Sequence, residues 1–134
     1  MKRFVVVGLG KLGLAIARTL TEKNVDVVAI DLSMQLVQEA SEDVAACVQA
    51  DATDLDALEA AGARGAACAM VAIGEDFEAS VLTTAVLREL GIPKVVVRAN
   101  SEREARILRL VGATDIVFVE QDMGKRLAHA LVDG

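Results

Sequence analysis

Aromatic residues are nearly absent from this chain, which has no tryptophan or tyrosine and only three phenylalanines, Phe4, Phe77 and Phe118. Stacking of nucleic-acid bases on aromatic side chains is therefore not expected. Acidic residues outnumber basic residues by 20 to 14, and the formal charge of −6 opposes association with DNA, RNA or anionic lipid. The composition predicts no nucleic-acid partner.

Long hydrophobic runs are also missing, since none approaches the roughly 20 residues that a membrane-spanning helix needs. Residues 1–3 lead into an apolar run that is too short for a signal-peptide core. We therefore expect a cytoplasmic protein without direct membrane insertion. No linker or low-complexity tract interrupts the 134 residues, so residues 1–134 are predicted to form one domain with a core of its own.

Chemically reactive side chains are few. The single histidine, His129, has no Cys or carboxylate partners at metal-ligand spacing, so neither a metal site nor a catalytic role is predicted for it. Cys47 and Cys68 lie in apolar, strand-like runs without a CxxC motif, which predicts buried, reduced thiols.

Short apolar runs alternate with helical patterns along the whole chain. Strands are predicted near residues 2–7, 26–30, 45–49, 68–73, 94–98 and 115–119. Their apolar character is continuous rather than alternating, which is typical of strands buried on both faces. The predicted fold is therefore α/β, a Rossmann-like doubly wound six-stranded parallel sheet with helices on both faces. Gly91 and Gly112 are predicted to end helices, and Ser101 with Glu104 to form a capping box.

The first strand runs directly into a GxGxxG motif at residues 8–13. Gly8 allows a tight turn, Gly10 lets a pyrophosphate approach the backbone, and Gly13 lets the helix lie close to the strand. The amide groups at the start of the helix attract phosphate. The motif predicts nucleotide binding, with a purely structural turn as the alternative.

The second apolar run ends at Asp31, eighteen residues beyond Gly13, where dinucleotide-binding domains place an acid that binds ribose. A carboxylate there accepts hydrogen bonds from ribose hydroxyls and repels a 2′-phosphate. Asp31 therefore favours NAD or an adenine nucleotide and disfavours NADP. A solvated carboxylate at a strand end is the alternative.

In a doubly wound sheet, ligand contacts gather where the strands end. Asp51 is a candidate for the adenine amino group, and Thr53 or Asp54 is a candidate helix cap, although Asp51 could act in capping alone. Gly74 could contact the second half of a dinucleotide or form a simple turn. The predicted binding residues are Gly8, Gly10, Lys11, Leu12, Gly13, Asp31, Asp51, Ala52, Thr53, Ile73, Gly74, Glu75, Arg98 and Glu120; Asp76 and Asn100 also follow strands.

Several of these segments resemble the nucleotide-binding N-terminal domain of potassium-conductance regulators, known as the RCK or KTN domain, which the Ktr and Trk potassium uptake systems carry. The resemblance runs through nearly the whole chain. It rests on residues 8–13, Asp31, residues 50–54, 71–74, 79–84, 110–117 and 122–124.

The resemblance implies a nonenzymatic, cytoplasmic regulatory subunit that binds ATP, ADP, NAD or NADH and gates a membrane potassium channel. It also implies that Asp31 holds the adenosine ribose, that Asp51 lies near the adenine, and that Glu120 lies near the phosphates and the subunit boundary. Lys11 occupies a position often held by arginine, so it keeps the positive charge without the bidentate fork. A C-terminal regulatory domain commonly follows this domain in the family.

Assembly as a homodimer or a larger ring is expected from the same resemblance, with the final helical segment, about residues 120–132, crossing to a neighbouring subunit. Packing of that segment on its own domain is the alternative. The apolar positions Val81, Ala85 and Leu90 form either an interface or a face buried against the sheet. Two other functions stay open: a free-standing NAD(H)-sensing module and an NAD-dependent oxidoreductase, for which Lys11 or Lys94 would have to act as the base.

Overall fold

The computed structural model describes residues 2–134, in which strands and helices alternate strictly. The strands are β1 (Arg3–Val7), β2 (Asp26–Asp31), β3 (Ala46–Gln49), β4 (Cys68–Val71), β5 (Lys94–Arg98) and β6 (Asp115–Val117). The helices are α1 (Lys11–Glu22), α2 (Met34–Ala40), α3 (Leu55–Ala60), α4 (Phe77–Glu89), α5 (Glu102–Leu110) and α6 (Val119–Asp133).

All six strands are parallel and lie in the order β3-β2-β1-β4-β5-β6. The strand order reverses between β1 and β4, so the crevice for a ligand opens above the carboxyl ends of these two strands. The predicted Rossmann-like architecture is confirmed.

Helices cover both faces of the sheet, as predicted. In β1, Val6 faces the core shared with α1 and α2, whereas its neighbours Val5 and Val7 face the core shared with α3, α4 and α5. Successive side chains of a strand point to opposite faces, so a strand buried on both sides has to be apolar throughout.

The boundaries differ from the prediction where the chain leaves the sheet. β4 ends at Val71 rather than residue 73, and β6 ends at Val117 rather than residue 119. Ala72 still donates a backbone hydrogen bond to the Val7 carbonyl at 2.8 Å, so the chain diverges gradually from β1. The apolar run 115–119 includes Phe118 and Val119 because apolar residues also cap and start α6.

Local signals at helix ends are confirmed. Gly91 and Gly112 have φ values of +87° and +117°, which non-glycine residues rarely adopt. Ser101 accepts a hydrogen bond from the Glu104 N–H at 3.1 Å. The Glu104 carboxylate reaches back to the N–H of Asn100, one residue before the cap, at 3.0 Å.

Two predictions about burial need correction. Cys47 and Cys68 are half-buried free thiols rather than fully buried ones, because β3 and β4 are short and each residue lies near a strand end. Leu90 is buried and Val81 packs half-buried against the core, as one of the two alternatives expected, whereas Ala85 is exposed; the buried positions of α4 are Ser80, Thr83, Thr84 and Leu87. The face that packs on the sheet is therefore more polar than the apolar spacing suggested.

Helix α6 buries no side chain in its own domain. Met123, Leu127 and Leu131 are 48%, 57% and 82% exposed. The alternative that this helix packs on its own domain is therefore not what the structure shows. Among residues 2–134, no helix combines the length and the apolar character needed to cross a membrane.

Candidate functional site

The turn between β1 and α1 has a geometry that requires two of its three glycines. Gly8 has a φ of +96°, and a Cβ there would also lie 3.0 Å from the Ala72 carbonyl carbon. At Gly13 a Cβ would lie 1.6 Å from the Gly8 carbonyl oxygen, which no side chain can tolerate. These glycines are therefore needed for the fold of the turn itself.

Gly10 differs from both, because a Cβ at this position would meet no atom within 4 Å. Gly10 is the N-cap of α1 and has no side chain with which to cap the helix. The first turn of α1 contains no acidic residue, and Lys11 is exposed there. The start of α1 thus presents backbone donors and a positive charge to the space above the turn, which suits an anion.

Asp31 ends β2 and is tied to the glycine-rich turn. One carboxylate oxygen accepts the Leu9 N–H at 2.7 Å, and the other accepts the Ser33 N–H at 2.8 Å. A carboxylate offers about four lone-pair positions, so two remain for a ligand. These two hydrogen bonds hold the Asp31 side chain beside the turn. In this position it can accept hydrogen bonds from ligand hydroxyl groups while the turn holds a phosphate.

Asp51 follows β3 and forms a compact turn with Thr53. One oxygen accepts both the Thr53 hydroxyl at 2.6 Å and the Thr53 N–H at 3.0 Å. These bonds, the hydroxyl first, lower the pKa of the Asp51 carboxyl below its ordinary value of 3.8. The adjacent cap is Asp54, which accepts the Asp56 N–H at 3.2 Å. Asp51 is therefore not the cap of α3 and keeps one free oxygen.

The segments that follow β4 and β5 are joined by a side chain. Asn100 donates from its amide nitrogen to the Gly74 carbonyl at 3.1 Å. Arg98 packs close by, since a Cβ at Gly74 would lie 3.5 Å from a guanidinium nitrogen of Arg98. Asn100 is thus a structural tie at this end of the sheet rather than part of the cavity wall.

Arg98 links this region to α6. Its guanidinium forms a hydrogen-bonded ion pair with Glu120 in the first turn of α6. The Arg98 side chain is only 20% exposed, and its Nε is buried without a hydrogen-bond partner among residues 2–134. Arg98 therefore faces both the sheet end and the start of the last helix.

Together these segments enclose a cavity of about 490 Å³, within the range usual for cofactor sites. Most residues predicted from the sequence to bind a ligand line it, namely Gly8, Gly10, Lys11, Leu12, Asp31, Asp51, Ala52, Thr53, Ile73, Gly74 and Arg98. Gly13, Glu75 and Glu120 do not. Gly13 lies behind the turn, Glu75 is exposed, and Glu120 contacts the site through Arg98.

Some of the cavity wall was not predicted. Leu32, Asp76, Ala79 and Thr83 also line it, with Val7, Ala50 and Ala72. Asp76 was noted only as a residue that follows a strand, and Leu32 directly follows Asp31. Thr83 lies in the interior of α4, within the segment 79–84 that contributes to the resemblance but to which no ligand contact was assigned.

The described residues offer no evident set of metal ligands and no activated thiol. No group of three or more His, Cys, Asp or Glu within residues 2–134 is placed to hold a metal ion. Burial raises the pKa of both thiols, Cys47 and Cys68, so they are weak nucleophiles near neutral pH.

The fold and the cavity define the class of protein: a Rossmann-like α/β domain with its crevice at the point where the strand order reverses. Residues 4–119 match the TrkA-N domain family, and the chain belongs to that family.

Similar proteins in bacteria take part in potassium uptake. The chain is 40% identical over 131 residues to Ktr system potassium uptake protein C of Bacillus subtilis, covering 98% of this chain and 59% of that protein. It is 36% identical over 132 residues to Ktr system potassium uptake protein A of Vibrio alginolyticus, covering 98% and 60%. The chain thus spans about three fifths of the length of these curated relatives.

Solved structures with the same fold carry nucleotides. GsuK bound to ADP is 29% identical with a TM-score of 0.73, over 87% of this chain and 30% of that one. The AMP-bound Kef C-terminal domain of Shewanella denitrificans is 25% identical with a TM-score of 0.80, over 99% and 83%. The NAD-bound GsuK channel is 16% identical with a TM-score of 0.83, over 94% and 23%, and shows the fold alone.

Proposed function

We propose that this chain is the nucleotide-binding regulatory domain of a cytoplasmic subunit that gates a potassium uptake system in the membrane. The observation that carries the proposal is the cavity at the carboxyl ends of the strands, with uncapped amides and Lys11 on one side and Asp31 on the other. Membership of the TrkA-N family and similarity to the Ktr proteins support the potassium uptake system as the partner.

The ligand in this proposal is an adenine nucleotide, ATP, ADP, NAD or NADH. Its phosphates lie against Gly10, Lys11 and Leu12, its ribose on Asp31, and its adenine near Asp51, Ala52 and Thr53. The open space above Gly10 supports this placement, because the fold itself does not require glycine there. The bound ADP and AMP of the similar structures support the same class of ligand.

A comparison of two alanine variants tests the phosphate position. In Gly10→Ala a methyl group enters the space assigned to the pyrophosphate, and we expect calorimetric affinity for ADP and NAD to fall at least about tenfold. Gly124→Ala is the matched control, since a Cβ there also meets no atom within 4 Å but lies in α6, outside the cavity wall. Equal affinities for the two variants would contradict the assignment.

NADP is expected to bind more weakly than NAD. Two like charges about 4 Å apart repel by at least about 1 kcal/mol even in water, so a 2′-phosphate beside Asp31 should weaken binding by at least about fivefold. No cation lies next to Asp31 in sequence to offset this, because residues 32–36 are Leu, Ser, Met, Gln and Leu. Titration of both dinucleotides at the same ionic strength measures the ratio of their affinities. NADP binding as tightly as NAD would contradict the assignment of Asp31 to the ribose.

Helix α6 is the proposed route by which the ligand acts on other subunits. Its apolar residues Met123, Leu127 and Leu131 are exposed and need cover, which a neighbouring copy in a homodimer or ring would provide. Arg98 lines the cavity and is paired with Glu120 at the start of α6. A ligand that draws the Arg98 guanidinium away from Glu120 would therefore change the anchoring of this helix.

The gating proposal requires that two arrangements of the assembly bind the ligand with different affinity. A coupling of about 1 to 3 kcal/mol would change the ratio of the two arrangements by roughly 5-fold to 150-fold. Small-angle scattering of the assembled protein saturated with ATP, then with ADP, tests for such a rearrangement. Superimposable profiles would contradict a large reorientation of paired domains.

The partner is tested by copurification from membranes of the native host. Recovery of a membrane potassium transporter would support the gating role, and recovery of a soluble partner alone would instead support a free-standing NAD(H) sensor. An oxidoreductase is the least supported alternative. His129 is exposed on α6, and neither it nor Lys94 lines the cavity; Lys11 does line it, but this proposal assigns Lys11 to the phosphates. Turnover of NADH in a substrate screen would contradict the nonenzymatic role.

A further inference from the structure

A second cavity lies at the other end of the sheet, where the central strands begin. It has a volume of about 370 Å³, and polar atoms form most of its wall. The strands β2, β1 and β4 are neighbours in the sheet, and each contributes its first residue or the residue next to it. The lining residues are Lys2, Arg3, Asp26, Arg64, Gly65 and Ala67. None of them lines the nucleotide cavity, so this amino-end cavity is a separate feature.

Arg3 is held in a fixed position beside the amino-end cavity. Its Nε donates to the Asp26 carboxylate at 3.1 Å, and its Nη1 donates to the Gly62 carbonyl at 3.2 Å. A Cβ at Gly62 would lie 2.9 Å from Nη1, so a side chain there would displace the guanidinium. The Arg3 side chain stays partly exposed, and its Nη2 makes no hydrogen bond to residues 2–134. The guanidinium is therefore oriented in advance and keeps donors for a ligand.

Positive charge dominates the wall of this cavity, with three cations and one carboxylate. Arg64 pairs with Glu59 through Nε and Nη2 at 3.0 to 3.1 Å, which leaves its Nη1 without a partner among residues 2–134. Lys2 is exposed and forms no ion pair with another described residue. The group stays positive even when Glu59 is included, in a chain whose formal charge is −6. This local excess of cations favours an anion.

We propose that the amino-end cavity binds a small soluble phosphate ion, such as inorganic phosphate or pyrophosphate. Arginine donors bond phosphate oxygens directionally, and the lysine ammonium adds a point charge that balances a multiply charged ion. The overall negative charge of the chain opposes an extended polyanion such as a membrane surface or a nucleic acid, which favours a small ion. The inference goes beyond the proposed function and does not depend on it.

Two-dimensional NMR can test the site, because the two cavities have separate reporter amides. The amides of Gly65 and Ala67 report on the amino-end cavity, and those of Gly8 and Gly10 report on the nucleotide cavity. Titration with inorganic phosphate, and separately with pyrophosphate, should give saturable shifts at Gly65 and Ala67. Sodium chloride at the same ionic strength should not reproduce them. The proposal is overturned if neither ion gives a saturable shift there, or if chloride gives the same one.

Two charge-removing variants should change the affinity in opposite directions. Arg64→Gln removes a cation from the wall and should weaken pyrophosphate about threefold to fivefold. Asp26→Asn removes the only carboxylate of the wall and should tighten it, while the amide oxygen can still accept the bond from Arg3. Arg18→Gln and Asp43→Asn are the matched controls, since these residues form an exposed ion pair that lines neither cavity. Equal effects in the cavity and control variants would overturn the proposal.

A lipid headgroup offers the same phosphate chemistry, so vesicles that contain phosphatidic acid form a separate arm. Cosedimentation that Arg64→Gln abolishes, without any shift from the free ions, would overturn the small-ion proposal.

The proposed function and this inference fail in different ways. Shifts at Gly65 and Ala67 with phosphate, in a protein that binds neither ADP nor NAD, would overturn the proposed function alone. A protein that binds ADP or NAD but shows no saturable phosphate shift at Gly65 and Ala67 would overturn this inference alone.

Discussion

Adding one methyl group at Gly13 tests how closely α1 packs on the glycine-rich turn. A Cβ at this position would lie 1.6 Å from the Gly8 carbonyl oxygen, 2.8 Å from the Gly8 carbonyl carbon and 3.3 Å from the Ala72 Cβ. Real Cβ atoms essentially never approach other atoms closer than 3.0 Å. The distance from the Cβ to the Gly8 carbonyl oxygen therefore has to almost double. Because that oxygen belongs to the backbone, α1 has to move away from the turn.

Two opposing effects decide whether Gly13→Ala raises or lowers the free energy of unfolding. Alanine is a better helix former than glycine by about 1 kcal/mol, which would stabilise the variant if space were available. Overpacking in a well-packed region costs about 1 to 3 kcal/mol, and contact with rigid backbone places this site at or above the upper end. We expect a net loss of about 2 kcal/mol or more in the free energy of unfolding.

Urea unfolding measures this loss directly. With a slope of about 1 to 3 kcal/mol per molar urea, a loss of about 2 kcal/mol lowers the midpoint by about 1 M. Gly10→Ala is the comparison, because its methyl group enters open space and changes only the N-cap, at a cost of about 1 kcal/mol at most. A midpoint for Gly13→Ala equal to or above that of the wild type would refute the packing argument.

Three further outcomes are expected. Thr53→Val should raise the pKa of Asp51 back toward 3.8, as followed by carboxyl NMR. Because folding lowers the pKa of Asp51, the bonds to Thr53 stabilise the folded protein at pH values above the ordinary carboxyl pKa. This stabilisation is lost as the pH falls through the pKa of Asp51 in the folded protein. A pKa that Thr53→Val leaves unchanged would show that another interaction lowers it. Ser101→Ala should cost about 1 kcal/mol in urea unfolding through loss of the cap on α5, and a cost below about 0.3 kcal/mol would contradict the cap. Cys47 and Cys68 should react slowly with a thiol reagent at pH 8 and rapidly in urea, because burial raises the pKa of both thiols. Equal reaction rates in the two conditions would contradict this effect of burial.

Much of the fold could be predicted because its signals are local. A strand buried on both faces has to be apolar throughout, so Val5, Val6 and Val7 mark β1 without reference to the rest of the chain. Gly91 and Gly112 end helices because the backbone there has a positive φ. The boundaries were less accurate, since Phe118 and Val119 are apolar whether they extend β6 or begin α6.

The part of the site nearest the glycine-rich turn was likewise accessible from the sequence. Gly8, Gly10 and Asp31 have a fixed spacing because one strand, one turn and one helix separate them, and the structure brings all three to the same cavity. Their spacing follows from the lengths of these elements, so it can be read before the fold is known.

The opposite wall was only partly predicted. Ile73, Gly74 and Arg98 were among the predicted binding residues, whereas Thr83, in the interior of a helix, was not, yet it also lines the cavity. Thr83 and Thr84 are adjacent and both buried, and only packing determines that one hydroxyl bonds to its own helix while the other is left unpaired. The sequence by itself determined the alternation of elements and the glycine-rich turn, because short stretches of chain encode both. Only the folded chain determined which distant side chains share one wall, because that depends on the order in which the strands pair.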